Sequence, residues 1–129
     1  MFSGSLVAIV TPMRGDGSID HSAWARLIDW HIESGTSGLV VGGTTGESAT
    51  LTDEELWELT RRACTQARHR LAVIVGVGSS STAACVQRAQ RFSQLDIEGI
   101  LVVTPAYNRP TQEGLTGTSR RLRKLRPSP

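Results

Sequence analysis

The chain has 129 residues, of which 39% are hydrophobic, and a formal net charge of +2. That composition fits one ordinary globular domain and excludes disordered, collagenous and disulfide-scaffold classes. No stretch approaches the roughly 20 consecutive apolar residues that a bilayer span requires. The apolar run at residues 6–10 has no basic segment before it and no small-residue cleavage pattern after it, so a cytoplasmic protein is expected.

The first predicted strand is residues 5–10, apolar and β-branched, stopped at Thr11-Pro12 because proline cannot donate to a ladder. Asp20 then caps a helix with Trp24, Leu27, Ile28 and His31 at helical spacing, and Gly35 ends it. The second strand, residues 38–41, runs into Gly42-Gly43-Thr44-Thr45-Gly46-Glu47-Ser48. Glycines let a backbone approach a ligand closely, and successive N–H groups in such a turn form a concavity for an anion such as a carboxylate. Thr52 with Glu55 is a capping box for a helix through about Ala67, followed by a continuous apolar strand at residues 71–75. Residues 79–81 start a third helix with Cys85, Val86, Ala89 and Phe92 as its apolar stripe, and residues 100–103 repeat the buried-strand pattern.

Strands two to four recur about every 30 residues, the length of a strand-helix-strand unit with a right-handed crossover. The fold class is therefore α/β with a parallel sheet. An open doubly wound sheet and a (β/α)8 barrel both fit, although a complete barrel takes about 250 residues. Cys64 and Cys85 fall in separate helices without metal-ligand spacing and read as free thiols.

The charge is unevenly spread. Through Leu115 there are nine Arg, no Lys and twelve acidic residues, whereas the remainder carries five basic groups and no acid. A basic end is one feature of nucleic-acid or anionic-membrane binders, but short Arg-rich ends are more often simply solvated, and no such partner is expected.

Two separated motifs, Gly-Thr-Thr-Gly-Glu-Ser-Ala-Thr-Leu at residues 43–51 and Thr-Pro-Ala-Tyr-Asn-Arg-Pro at 104–110, together with residues 4–12 and 35–38, resemble the dihydrodipicolinate synthase family. The resemblance covers residues 1–115 and implies the first half of a (β/α)8 TIM barrel, about four parallel strand-helix units. It also implies a class I aldolase that needs no cofactor, a homo-oligomer (dimer or tetramer) that condenses pyruvate with aspartate 4-semialdehyde through a Schiff base, in lysine and diaminopimelate biosynthesis. In that reading Thr45 and neighbouring amides hold the pyruvate carboxylate. Thr44 relays protons with Tyr107, which the family donates into a neighbouring subunit's site. A hydroxyl chain suits this chemistry, because imine formation and carbinolamine collapse each move a proton. Glu47 is read as structural, holding the loop.

Some positions depart from the family. Ala106-Tyr107 stands where many members have paired tyrosines, and Leu56, Ser80 and Ala84 stand where lysine-inhibited members carry polar groups, so lysine feedback is not expected. Related pyruvate aldolases share Gly-Thr-Gly-Glu-like loops; Tyr107-Asn108-Arg109-Pro110 and Gln112-Glu113-Gly114-Leu115 favour the synthase. The only lysine, Lys124, lies among arginines. A Schiff-base lysine needs a pocket that lowers its pKa, so this one is not the nucleophile. The chain as written is expected to be inactive; the alternative reading is a non-catalytic half-barrel whose open apolar edges self-associate. Residues 116–129 are expected to be a disordered basic tail. Hypothetical codons for the family-like helix YRHFQAIAEASALP, read one base late, give TGTSRRLRKLRPSP, so a frameshift is one account of that segment and a short protein with a basic tail of its own is the other.

Overall fold

A computed structural model describes residues 2–103 and 111–123. Strands and helices alternate: β1 (Leu6–Ala8), α1 (His21–Glu33), β2 (Gly38–Val41), α2 (Asp53–Ala67), β3 (Ala72–Gly76), α3 (Thr82–Phe92), β4 (Gly99–Leu101) and α4 (Gln112–Arg123). The strands form one parallel sheet in the order β1-β2-β3-β4. Each strand thus lies beside its successor, the arrangement of consecutive units in a barrel wall rather than of an open sheet wound in both directions.

Local chemistry accounts for the helix starts. The Asp20 carboxylate accepts from the amides of Ser22 and Ala23, and Thr52 and Glu55 form the reciprocal capping box. Ser81 Oγ accepts from Ala84 N at the start of α3. A cap of this kind contributes about 1 kcal/mol by satisfying otherwise orphaned N–H groups. Gly35, at φ +73, follows the C-terminus of α1, and α2 ends on Arg68 in the left-handed region.

The core lies between the sheet and its helices. Leu39, Val41, Val73, Val75 and Val77 meet Trp24, Ile28, Leu59, Ala63, Cys85, Ala89 and Phe92, all buried. Each large side chain so covered contributes about 1.5–3 kcal/mol. Trp57 packs its ring 5.6 Å from that of Phe92, and the Arg91 guanidinium lies 5.1 Å over Trp57 while bonding Glu54 at 3.0 Å.

Two sequence expectations differ from the structure. The outer strands β1 and β4 are shorter than the apolar runs that contain them. Each has a neighbour on one side only, and the pairing thins to single bonds beyond their ends, Ile9 N to Val40 O and Val77 N to Leu101 O. Residues 116–123, expected to belong to a disordered tail, are helical and complete α4. Thr118 Oγ1 reaches Thr82 Oγ1 of α3 at 2.8 Å and Leu122 is buried, so this segment packs as the fourth helix.

Candidate functional site

The loop after β2 sits at the carboxyl ends of the strands, where the sheet is narrowest in side chains. Gly42 and Gly76 face each other across β2 and β3: a Cβ on Gly76 would run into the Gly42 carbonyl, and one on Gly42 into Leu56. Gly42 also has φ +64, a conformation costly to other residues. Bare main chain is what permits the two strands' ends to approach so closely.

The loop is a chain of tight turns. Gly46 N and Ser48 N donate to the Gly43 carbonyl, Glu47 N donates to the Thr44 carbonyl, and Thr50 donates from both N and Oγ1 to the Glu47 carbonyl. These bonds consume the amides of residues 46–48. Among the described residues, Thr44 and Thr45 are the positions of this loop at which both the amide and the side-chain hydroxyl are without a partner. Glu47 adopts φ 55, and it holds the turn through its carbonyl rather than its exposed carboxylate.

A residue the sequence reading missed anchors the loop to β1. Buried Thr11 donates Oγ1 to the Gly46 carbonyl at 2.8 Å. No spacing rule links positions 35 apart, so nothing local signalled it. The ion pair of Arg88 and Asp53, at 2.7 Å, was equally invisible; it ties the start of α2 to α3 and both residues line the site.

A cavity of about 280 Å³ opens between these elements, lined by Gly42, Gly43, Thr44, Ser48, Gly76 and Arg88 among others, with Leu101 and Val103 on its β4 side. Thr44 is thus on its wall. Thr45 is exposed at the loop tip beside it and outside the lining. Tyr107 lies outside the described residues. A larger hollow of about 440 Å³, between α1 and α2 and lined by Arg61, Arg62, Arg68 and Arg70, is on the helical layer, away from the strand ends.

Among the described residues, none of the groups with a shifted pKa lines the cavity at the strand ends. Burial pushes the Cys64 thiol up to about 11, with the Glu98 and Asp96 carboxylates adding to the shift, so it is protonated near neutrality. Glu58 is held down to about 2, chiefly by its hydrogen bond from Arg61, an exposed surface pair. Among the described residues no three His, Cys, Asp or Glu side chains gather as a metal site, and no helix is long and apolar enough to cross a membrane.

Comparison with known proteins places this geometry. The model of the Dihydrodipicolinate synthetase family matches residues 1–121. The chain is 48% identical over 115 residues to the 4-hydroxy-tetrahydrodipicolinate synthase of Coxiella burnetii, covering 89% of the chain and 40% of that protein. It is 50% identical over 115 residues to that of Acidiphilium cryptum, covering 89% of the chain and 39% of that protein. In three dimensions it is similar to a chloride-inhibited dihydrodipicolinate synthase from Acinetobacter baumannii solved in complex with pyruvate, with TM-score 0.95, 39% identity, and coverage of 100% of this chain and 44% of that one. The chain therefore spans about two fifths of the length of the proteins it matches.

Proposed function

The chain belongs to the dihydrodipicolinate synthetase family, and from that premise we propose that it forms the amino-terminal half of a cytoplasmic, homo-oligomeric class I aldolase barrel. The reaction is condensation of pyruvate with aspartate 4-semialdehyde, as in lysine and diaminopimelate biosynthesis. The observation that carries this reading is the loop at the carboxyl ends of the strands, where Thr44 and Thr45 present unpartnered amides and hydroxyls beside the 280 Å³ cavity.

The chemistry assigns each group a task. An amine adds to the pyruvate ketone to give a carbinolamine, which loses water to become an imine; both steps transfer protons, and a positioned hydroxyl contributes about 10²–10⁴-fold to such transfers. Thr44, on the cavity wall, is the relay hydroxyl, with Tyr107 as its partner. Thr45 and the adjacent amides take the carboxylate as a hydrogen-bonded anion. The amine comes from a lysine that this sequence does not supply, since Lys124 stands among arginines.

Borohydride reduction in the presence of pyruvate tests this. The 129-residue chain alone is expected to gain no reduced adduct by mass spectrometry. Residues 1–115 fused to the remainder of the Coxiella burnetii relative are expected to gain one, on a lysine of the added part. In that fusion Thr44→Val is expected to lower kcat about 10²-fold, and Thr45→Val to raise the KM for pyruvate about tenfold by removing a charge-assisted hydrogen bond. An adduct on the unfused chain, or none on the fusion, overturns the proposal.

A further inference from the structure

The hollow of about 440 Å³ between α1 and α2 takes no part in the chemistry proposed above, and it is larger than the cavity at the strand ends. Its walls are consecutive helices that meet within this chain, where Gln66 Nε2 donates to the Ala25 carbonyl at 2.7 Å. Four of the nine arginines in residues 1–115, Arg61, Arg62, Arg68 and Arg70, line it, and among the described residues no acidic side chain does. An exposed helix face accounts for solvated arginines; it does not account for what stands behind them. Trp24 is 1% exposed and lines the same hollow, yet its Nε1–H is buried without a partner, and His21 of the same lining has Nδ1 buried and unpartnered as well. An indole N–H can only donate, and leaving it unpaired inside a fold is costly. What it lacks is an acceptor.

The arginines are arranged to hold the rest of such an acceptor. Glu58 accepts from Arg61 Nε and Nη2 and from Arg62 Nε, one carboxylate for two guanidiniums, which leaves Arg61 Nη1 and both Nη atoms of Arg62 free among the described residues. Arg70 gives Nε to the Ala67 carbonyl at 3.1 Å and Nη2 to the Gln66 carbonyl at 2.7 Å, covering the end of α2 whose dipole would otherwise repel an anion. Among the described residues the Arg68 side chain has no partner. Four guanidiniums against the single Glu58 carboxylate leave about three positive charges uncompensated around the hollow.

We propose that this hollow binds a small molecule carrying a diphosphate group. A carboxylate offers its acceptors in one plane, whereas phosphoryl oxygens are set tetrahedrally and suit donors that arrive from three segments, α1, α2 and the turn before β3. One phosphate ester carries about −1.5 to −2 near neutral pH, so two phosphoryl groups match the uncompensated charge better than one. Guanidinium forks take such oxygens in pairs. The exposed arginines hold the outer oxygens and the buried indole N–H takes an inner one. The volume falls in the range of about 300–1,000 Å³ that small-molecule pockets occupy.

Calorimetric titration with inorganic pyrophosphate tests this, on the 129-residue chain and on the fusion of residues 1–115 to the remainder of the Coxiella burnetii relative. One molecule is expected to bind per chain in both, about tenfold more tightly than orthophosphate or citrate, since it brings a second set of charge-assisted hydrogen bonds. Arg68→Gln breaks no side-chain bond of the fold and is expected to weaken binding about tenfold, the worth of one hydrogen bond to a charged group. Trp24→Phe keeps an aromatic ring in the core but removes the donor, and is expected to weaken binding by about the same factor. Arg14→Gln, at an exposed arginine outside the hollow, is expected to leave binding unchanged. No binding to the chain overturns the proposal, and so does binding to the chain that the fusion lacks, because the rest of the barrel then fills the hollow. Equal affinity for orthophosphate or citrate overturns the diphosphate assignment, and equal losses in Arg14→Gln and Arg68→Gln reduce the effect to net charge. Unchanged binding in Trp24→Phe overturns the placement of the ligand against the indole.

Discussion

The two faces of the sheet are both apolar but are covered to different extents. Toward the helices, Leu39, Val41, Val73, Val75 and Val77 are at most 1% exposed, while the other face leaves leucines and valines open at both ends of the sheet. Burial is therefore decided by what covers a strand, not by its composition. Strands apolar on both faces belong to a sheet that is covered twice.

The largest test of this contrast is Phe92→Ala against Val103→Ala. Phe92 is fully buried between α3 and the sheet, and its removal is expected to cost about 3–5 kcal/mol in urea unfolding. Val103→Ala, at a concentration too low for association, is expected to cost less than about 1 kcal/mol, since its side chain is already half in water. Equal losses would break the comparison. A loss at Val103 that grows with protein concentration would sharpen it, because the inner face is then being covered.

Thr11→Val comes next. It keeps the shape but leaves the Gly46 carbonyl without its donor, an expected loss of about 1 kcal/mol. Faster proteolysis within residues 42–51 is the accompanying sign, and an unchanged cleavage rate would show that the loop holds without β1.

The smallest effect is a pH dependence on the covered side. His31 is buried, with Nδ1 3.0 Å from Thr36 Oγ1, and burial lowers its pKa from 6.5. The folded state thus refuses a proton that the unfolded chain accepts, so stability is fully present above pH 6.5 and falls as the pH drops toward the lower folded value. Urea midpoints at pH 7.5 and 5.5 are expected to differ in that direction, and His31→Gln to shrink the difference. A difference that survives the substitution assigns the acid sensitivity elsewhere.

What could be read from the sequence was what is decided within a few residues. Asp20, the Thr52–Glu55 box, Ser81 and Gly35 mark helix ends through bonds spanning at most a turn, and all four stand where the spacing put them. The Gly-Thr-Thr-Gly loop was legible for the same reason. The Thr11–Gly46 bond and the Arg88–Asp53 pair were not, because each depends on where the chain returns in space. The helix continuing through residues 116–123 was missed because its glycine and threonines weigh against it locally, while packing on α3 decides otherwise.

The facing pair Gly42 and Gly76 has one further consequence. Where these two residues touch, the floor of the cavity is main chain, whose peptide dipoles have no rotamers to change. The field at that floor is accordingly the least adjustable part of the site: neighbouring side chains can drift over evolutionary time, but the electrostatic reference against which they act stays where the fold put it.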